Sequence, residues 1–300
     1  MPKQPLIPRS RTNPVGQTRR IKRVSGAMKR DIRRLERRLI DMWLNMPVSV
    51  QNGRLLNRQF YEYLISLDAL QGIVVEIANA LENAGRTEMG AAVQQAYREG
   101  RAKSVENLLS ITDDYGRSVT EVLASEPVLR RATLAASRAF EDMKGFSGQN
   151  GADLSRILFN AIESGTNPRV VARELRRRFG ITRRRADRIA RTEITTALRR
   201  GYRDEVRDAN ERFGLDTRII HYSALIPGRT RATHAARHGR VFTVDEQDEW
   251  YSMDGNSINC LCSQSSVVVD ENGDPITGKA LLDKLAAQRK AFISRGAGKM

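Results

Sequence analysis

The sequence predicts an α+β protein, with a predominantly α-helical N-terminal region and a small C-terminal α+β domain. Three observations carry this. Apolar residues recur at helical spacing through most of the first 210 positions. Aromatic residues make up only 6% of the chain, which suits packed helices better than a β-sandwich. Past Gly214 short β-branched runs replace the helical spacing.

Net charge is the strongest global property. The 300 residues carry +16, from 42 Arg and nine Lys against 35 acids. Guanidinium is a planar fork that grips phosphate through two hydrogen bonds, so a chain this basic attracts polyanions. Nucleic acid is the first candidate and an acidic protein surface the second. No apolar run approaches the roughly 20 residues that cross a bilayer, and no apolar segment follows the basic N-terminus at signal-peptide distance. The expectation is a soluble protein used in a reducing cytoplasm. Cys260 and Cys262, one residue apart, are poorly placed for an ordinary structural disulfide.

Along the chain, residues 1–27 hold four prolines and the basic run Arg19, Arg20, Lys22, Arg23. They read as a flexible arm, either lying on DNA or an acidic partner or simply solvated. A helical domain is expected over 28–146. Ile32, Leu35, Leu39, Met42 and Trp43 mark the face of its first helix. Phe60, Leu64, Leu67, Leu70, Val74, Ile77 and Leu81 mark a second over 57–83. Further helices are expected over 87–110, 112–124, 127–143 and 151–163. The turn-forming run Phe146–Gly151 predicts a boundary, with a second domain over 150–270 and a C-terminal helix and basic tail over 275–300. Pro168 opens a helix that Gly180 stops, and Thr182 caps the next, which runs to about Arg212. Strands are expected at 218–222, 240–243 and 265–269, a short helix at 229–238, a loop at 250–256 and a last helix at 278–293.

Three motifs carry chemistry. Between Arg169 and Arg203 stand thirteen Arg against three acids, with Arg183, Arg184 and Arg185 at the start of the second helix. This resembles a helix-turn-helix only weakly. A solvated face with phosphate affinity and no base reading is the plainer account. Glu193 falls on the apolar stripe of its helix. It serves either as a general base or as an anchor accepting from backbone N–H groups or from Arg229 or Arg231, and the anchor is favoured. His234 and His238, four apart, share a helix face, and Cys260 and Cys262 share a strand face. Two nitrogens and two sulfurs are the usual tetrahedral zinc set, although the spacing is not that of a zinc finger. The alternative is a pair of buried thiols with surface histidines.

Taken in order, Arg191-Thr192-Glu193, Arg229-Thr230-Arg231 with His234, Gly239, and Asn259-Cys260-Leu261-Cys262 resemble the phage head morphogenesis family. These are the minor head proteins similar to Mu protein F and to the minor capsid protein of phage SPP1. The resemblance covers about residues 150–270. Two departures stand out: Ile226-Pro227-Gly228 replaces an Asp usual before Arg-Thr-Arg, and Leu261 replaces the Arg usual between the cysteines. The resemblance implies a virion component in few copies, inside the capsid near the portal and in the host cytoplasm during assembly. Its implied partners are the portal protein, with major capsid or scaffolding protein, and double-stranded DNA bound without sequence preference. Its implied roles lie in procapsid assembly and DNA packaging or ejection. The missing Asp argues against an acid–base set, so the expectation is that the protein is not an enzyme, its His/Cys group being a staple that zinc can reinforce. The rival readings are a virion-delivered enzyme, a nuclease or transferase using Glu193 and His234, and a DNA-binding regulator.

Overall fold

The computed structural model describes residues 3–45, 50–51, 54–55, 71–72, 74–80, 82–83, 85–164 and 166–296. It is predominantly helical with a small strand-containing C-terminal region, as the sequence predicts. Helix α1 spans Thr18–Leu44, and β1 (Val50–Gln51) and β2 (Arg54–Leu55) form a short antiparallel ladder. Then come α2 (Gly90–Ile111), α3 (Val119–Ala124), α4 (Glu126–Glu163) and α5 (Pro168–Phe213). The C-terminal part is β3 (Thr217–Tyr222), α6 (Ala232–Arg237), β4 (Val241–Phe242), α7 (Val244–Ser252), β5 (Ser263–Val268) and α8 (Lys279–Ser294). Much of the helix expected over 57–83 lies outside the described residues, though 74–80 are helical. No helix among the described residues is long and apolar enough to cross a membrane.

The chain forms two compact units. One holds Met1–Arg20, Ala92–Ala135 and Arg191–Met300, the other Ile21–Ala91 and Ala136–Ala190.

In the second unit the expected breaks are absent. Phe146–Gly151 lies within α4, and Gly180 lies within α5, so there is no helix-turn-helix. A glycine inside a helix costs about 1 kcal/mol, which burial of neighbouring residues outweighs. Here Phe146, Asn150, Phe179 and Thr182 are all buried. Thr182 is no cap: its Oγ1 donates to Asn150 Oδ1 (2.8 Å) and back to Arg178 O (3.1 Å). Lys29 pairs with Asp187, and Arg183 with Glu36.

In the first unit the N-terminal segment is docked, not a free arm. Pro5, Pro14 and Val15 are buried. Leu6 N donates to Asn107 Oδ1 (2.6 Å) and Leu6 O accepts from Ser265 Oγ (2.7 Å). The helical hydrogen bonds begin at Thr18, well before residue 28, because Ile21, Val24 and Met28 supply an apolar face.

The crossing of α2 and α5 sets the geometry of this unit. A Cβ on Gly100 would stand 2.0 Å from Leu198 O, and one on Gly201 2.1 Å from Tyr97 O. The two backbones therefore touch. Around the crossing run buried ion pairs and hydrogen bonds. Arg101 meets Glu205 (2.8 Å) and Asp208 (2.7 Å), while the hydroxyls of Tyr97 and Tyr115 donate to Asp204 and Glu205 (2.6 Å each).

Beyond α5 the sheet has the order β4-β3-β5, all antiparallel, with Ile219 opposite Phe242 and Ser266. Alternation along β3 covers both faces. Ile219 packs with Tyr202, Val206 and Val244, whereas Ile220 and Tyr222 pack with Val267, Val269 and Leu285. The loop expected from residue 250 begins as the end of α7, which opens on a capping box between Thr243 and Glu246.

Gly201→Ala should lower stability by roughly 3 kcal/mol or more, the range of severe overpacking, while Gly145→Ala, with no described atom within 4 Å, should raise it by about 0.5–1 kcal/mol. Denaturant melts of the two variants check this, and equal effects would remove the crossing from the account.

Candidate metal centre

Four elements bring the rare side chains together. His221 comes from β3, on the same face as Ile219, and His234 from α6. Cys262 immediately precedes β5, and Trp250 and Tyr251 of α7 close the space. Ligand atoms of His221, His234 and Cys262 all lie within 4.8 Å of one another, and all three residues are buried. His234 Nδ1 stands 3.4 Å from Cys262 Sγ and 3.6 Å from Cys260 Sγ. Both His221 Nε2 and His234 Nε2 are buried with no hydrogen-bond partner. Buried ring nitrogens without partners are costly, and a cation bound among them would remove that cost for the nitrogen it takes.

The family motif holds this loop in place, residue by residue. Asn259 has φ +56°, a left-handed conformation that Asn tolerates. Its N–H donates to Thr192 Oγ1 (2.9 Å), and its Oδ1 accepts from Arg191. Arg231 does not pair with Glu193 in the contacts it makes here: its guanidinium donates to the carbonyls of Gly255, Asn256 and Ile258 (2.9–3.2 Å). Thr230 Oγ1 accepts from Ile226 N (2.8 Å) and closes the preceding turn. Gly239 has φ +70°, and a Cβ there would meet Leu285 Cβ at 2.4 Å, so no other residue fits beneath α8. Glu193 is half-buried, and Arg229 is exposed at the turn.

Behind the cysteines lies Arg199, only 1% exposed. Its Nη1 donates to the carbonyls of Cys260 and Cys262 (3.4 Å each), and it stacks over Tyr251 at 4.5 Å. This cation shapes the thiols. Burial raises the pKa of Cys260, but the Cys262 S–H, Arg199 and His234 together bring it well below the ordinary thiol value. The Cys262 thiol is pushed up by its bond to Cys260 and by burial. The pair thus holds one thiolate readily and a second only at a cost.

His238 does not join the group. Its Nδ1 accepts from Ser223 N (3.0 Å), and its Nε2 faces Gln288 Oε1 at 3.3 Å, on the α8 side of the sheet. His221 takes the place that helix spacing assigned to His238. The shared face of residues 234 and 238 requires a longer helix than α6, which ends at Arg237. The only sequence signal for His221 was its place in a predicted strand. Its Nδ1 lies 2.8 Å from Gln247 Nε2, while Gln247 Oε1 accepts from Arg237 (2.9 Å). That arrangement puts the ring proton on Nε2. Ligation through Nε2 therefore requires the Gln247 amide to turn and accept from Nδ1–H.

Of the arginines and lysine assigned to DNA, Arg19, Lys22, Arg23 and Arg184 are exposed. Arg20 instead pairs with Glu99, Arg183 with Glu36, and Arg185 lies over the Phe146 ring.

Residues 152–265 match the family model described as Phage Mu protein F like protein, fewer than half of the 300 residues. The resemblance drawn from the motifs is borne out over that stretch, and it is consistent with a head-morphogenesis or minor-capsid type of protein. No curated protein and no solved structure matches the chain. One expectation is corrected. A protein with no enzymatic centre was expected, but the buried His221, His234 and Cys262 form a group compatible with metal coordination, a possible catalytic or metal-binding site.

His238 carries a pH dependence of its own. Burial pulls its pKa from 6.5 down to about 4. Between these values the unfolded chain binds the proton and the folded one does not. Stability is therefore full above about pH 6.5 and falls toward pH 4, by about 3 kcal/mol from this residue. His238→Gln should show a smaller loss of Tm between pH 7 and pH 4.5 than the parent chain. Parallel losses would show that His238 contributes nothing to acid sensitivity.

Proposed function

We propose that this is a head-morphogenesis protein of a tailed phage whose Mu F-like domain is a metal-dependent enzyme acting on a phosphate-bearing substrate. The observation that carries the reading is the convergence of His221, His234 and Cys262 in a buried space. Two nitrogens and a thiolate leave one position of a tetrahedron over, the pattern of catalytic zinc sites. Zinc fits this donor set, and the chemistry it supplies there is Lewis acidity toward a phosphoryl oxygen.

The protein's own residues do the rest. A cleft of about 330 Å³ reaches His234, Cys260 and Cys262, and Arg229, Arg231 and Asn259 line it. No carboxylate is among its lining residues. Arg231 is occupied by backbone carbonyls, so exposed Arg229 is the group assigned to hold an anionic substrate at the mouth. Glu193 is the residue assigned to proton transfer. The substrate in this reading is the nucleic acid of the head, which the net charge of +16 attracts without reading its sequence. The portal protein remains the assigned partner, with major capsid or scaffolding protein beside it, and the interior of the capsid the assigned location.

Protein purified without chelator should carry near-stoichiometric zinc and cleave a phosphodiester substrate, with plasmid DNA as the first probe. Glu193→Gln should lower turnover by about 10²–10⁴ with metal content and Tm unchanged. A metal-loaded protein with no turnover above buffer would end the enzymatic part. Portal protein should also co-purify with the chain after nuclease treatment, and loss of the complex on that treatment would leave DNA as the only link.

A further inference from the structure

Cys260 belongs to the centre in a way that the three buried ligands alone do not show. On a tetrahedral zinc with bonds of about 2.0 Å to nitrogen and about 2.3 Å to sulfur, adjacent N and S atoms stand about 3.5 Å apart. His234 Nδ1 stands 3.4 Å from Cys262 Sγ and 3.6 Å from Cys260 Sγ. One ring N–H serves one sulfur well. A nitrogen set almost equally from two sulfurs is the edge geometry that a shared cation imposes. Cys260 Sγ also accepts the Cys262 backbone N–H at 3.3 Å, and fully buried Arg199 sits against the carbonyls of both cysteines. Both contacts favour sulfur as thiolate.

Resting on the metal-centre reading above, we propose that Cys260 is the fourth protein ligand of the resting centre, completing a two-nitrogen, two-sulfur set with His221, His234 and Cys262. Cys260 also lines the cleft, whereas His221 does not. The position it fills is therefore the one an incoming anion would need. Chemistry at the centre then requires the Cys260 sulfur to give up its place, or the ion to take a fifth ligand. Cys260 sits beside Asn259, whose backbone is held by Thr192, so the sulfur moves on a short, anchored tether and returns to the same place.

X-ray absorption of the zinc-loaded full chain counts sulfur ligands without a variant. Two sulfurs and two nitrogens are expected. One sulfur, with nitrogen or oxygen in the other places, would overturn the proposal while leaving the three-residue centre standing. A protein that retains no zinc at all would overturn the centre itself. In the cobalt-substituted chain, Cys260→Ser should keep the metal and lose half of the thiolate-to-cobalt absorption. Undiminished absorption in that variant would also overturn the proposal.

Discussion

The contact between Gly100 and Gly201 is the constraint on which the first unit depends. With no Cβ on either residue the α2 and α5 backbones meet, each glycine facing the other helix's carbonyl oxygen at a distance no side chain tolerates. From that point every neighbouring register is fixed. Seven residues along α2, Asn107 reaches Ser266 on β5, donating to its carbonyl (3.1 Å) and lying 2.8 Å from its Oγ. One residue along α5, Tyr202 reaches the same serine at 3.1 Å. Two residues before Gly201, Arg199 stands under the cysteine loop. A wider crossing would move all three, and the metal-capable group with them.

Buried cations do a second kind of positioning. Arg199 and Arg101 are each 1% exposed in a chain whose other arginines mostly face solvent. A buried guanidinium is tolerated only where its donors and charge are answered. Arg101 is answered by Glu205 and Asp208, Arg199 by three backbone carbonyls and the Tyr251 ring. Neither arrangement is needed for phosphate affinity. The abundance of arginine therefore hides two uses, a solvated basic surface and a small number of internal struts. Composition alone assigns all of it to the first.

The motif residues divide in the same way. Arg191, Thr192, Thr230, Arg231, Asn259 and Gly239 are there to shape backbone: they cap turns, hold a left-handed residue or admit a neighbouring helix. The chemistry is left to His221, His234 and the cysteines. Only the last three of these four lie in the motif. A motif read as a list of equals thus conceals which of its members bear donors and which bear shape.

Much was legible in the sequence because it depends on local periodicity and on rare residue types. The α+β class, the strands near 218–222 and 265–269, the short helix before Gly239, the closing helix and the family resemblance all follow from patterns within a few residues. The expected breaks at Phe146–Gly151 and Gly180 did not occur, because the cost of a helical glycine is small beside the burial of Phe146, Phe179 and Thr182. The docking of residues 3–17 was invisible, since it rests on Asn107 and Ser265, far away in the chain. So was His221. Which histidine faces two cysteines is set by strand pairing, by where α6 ends and by the reach of α7, none of which is written in local spacing. Sequence determined which donors this protein owns. Only tertiary packing decided which of them share one buried space, because that choice is made by contacts between residues that spacing cannot relate.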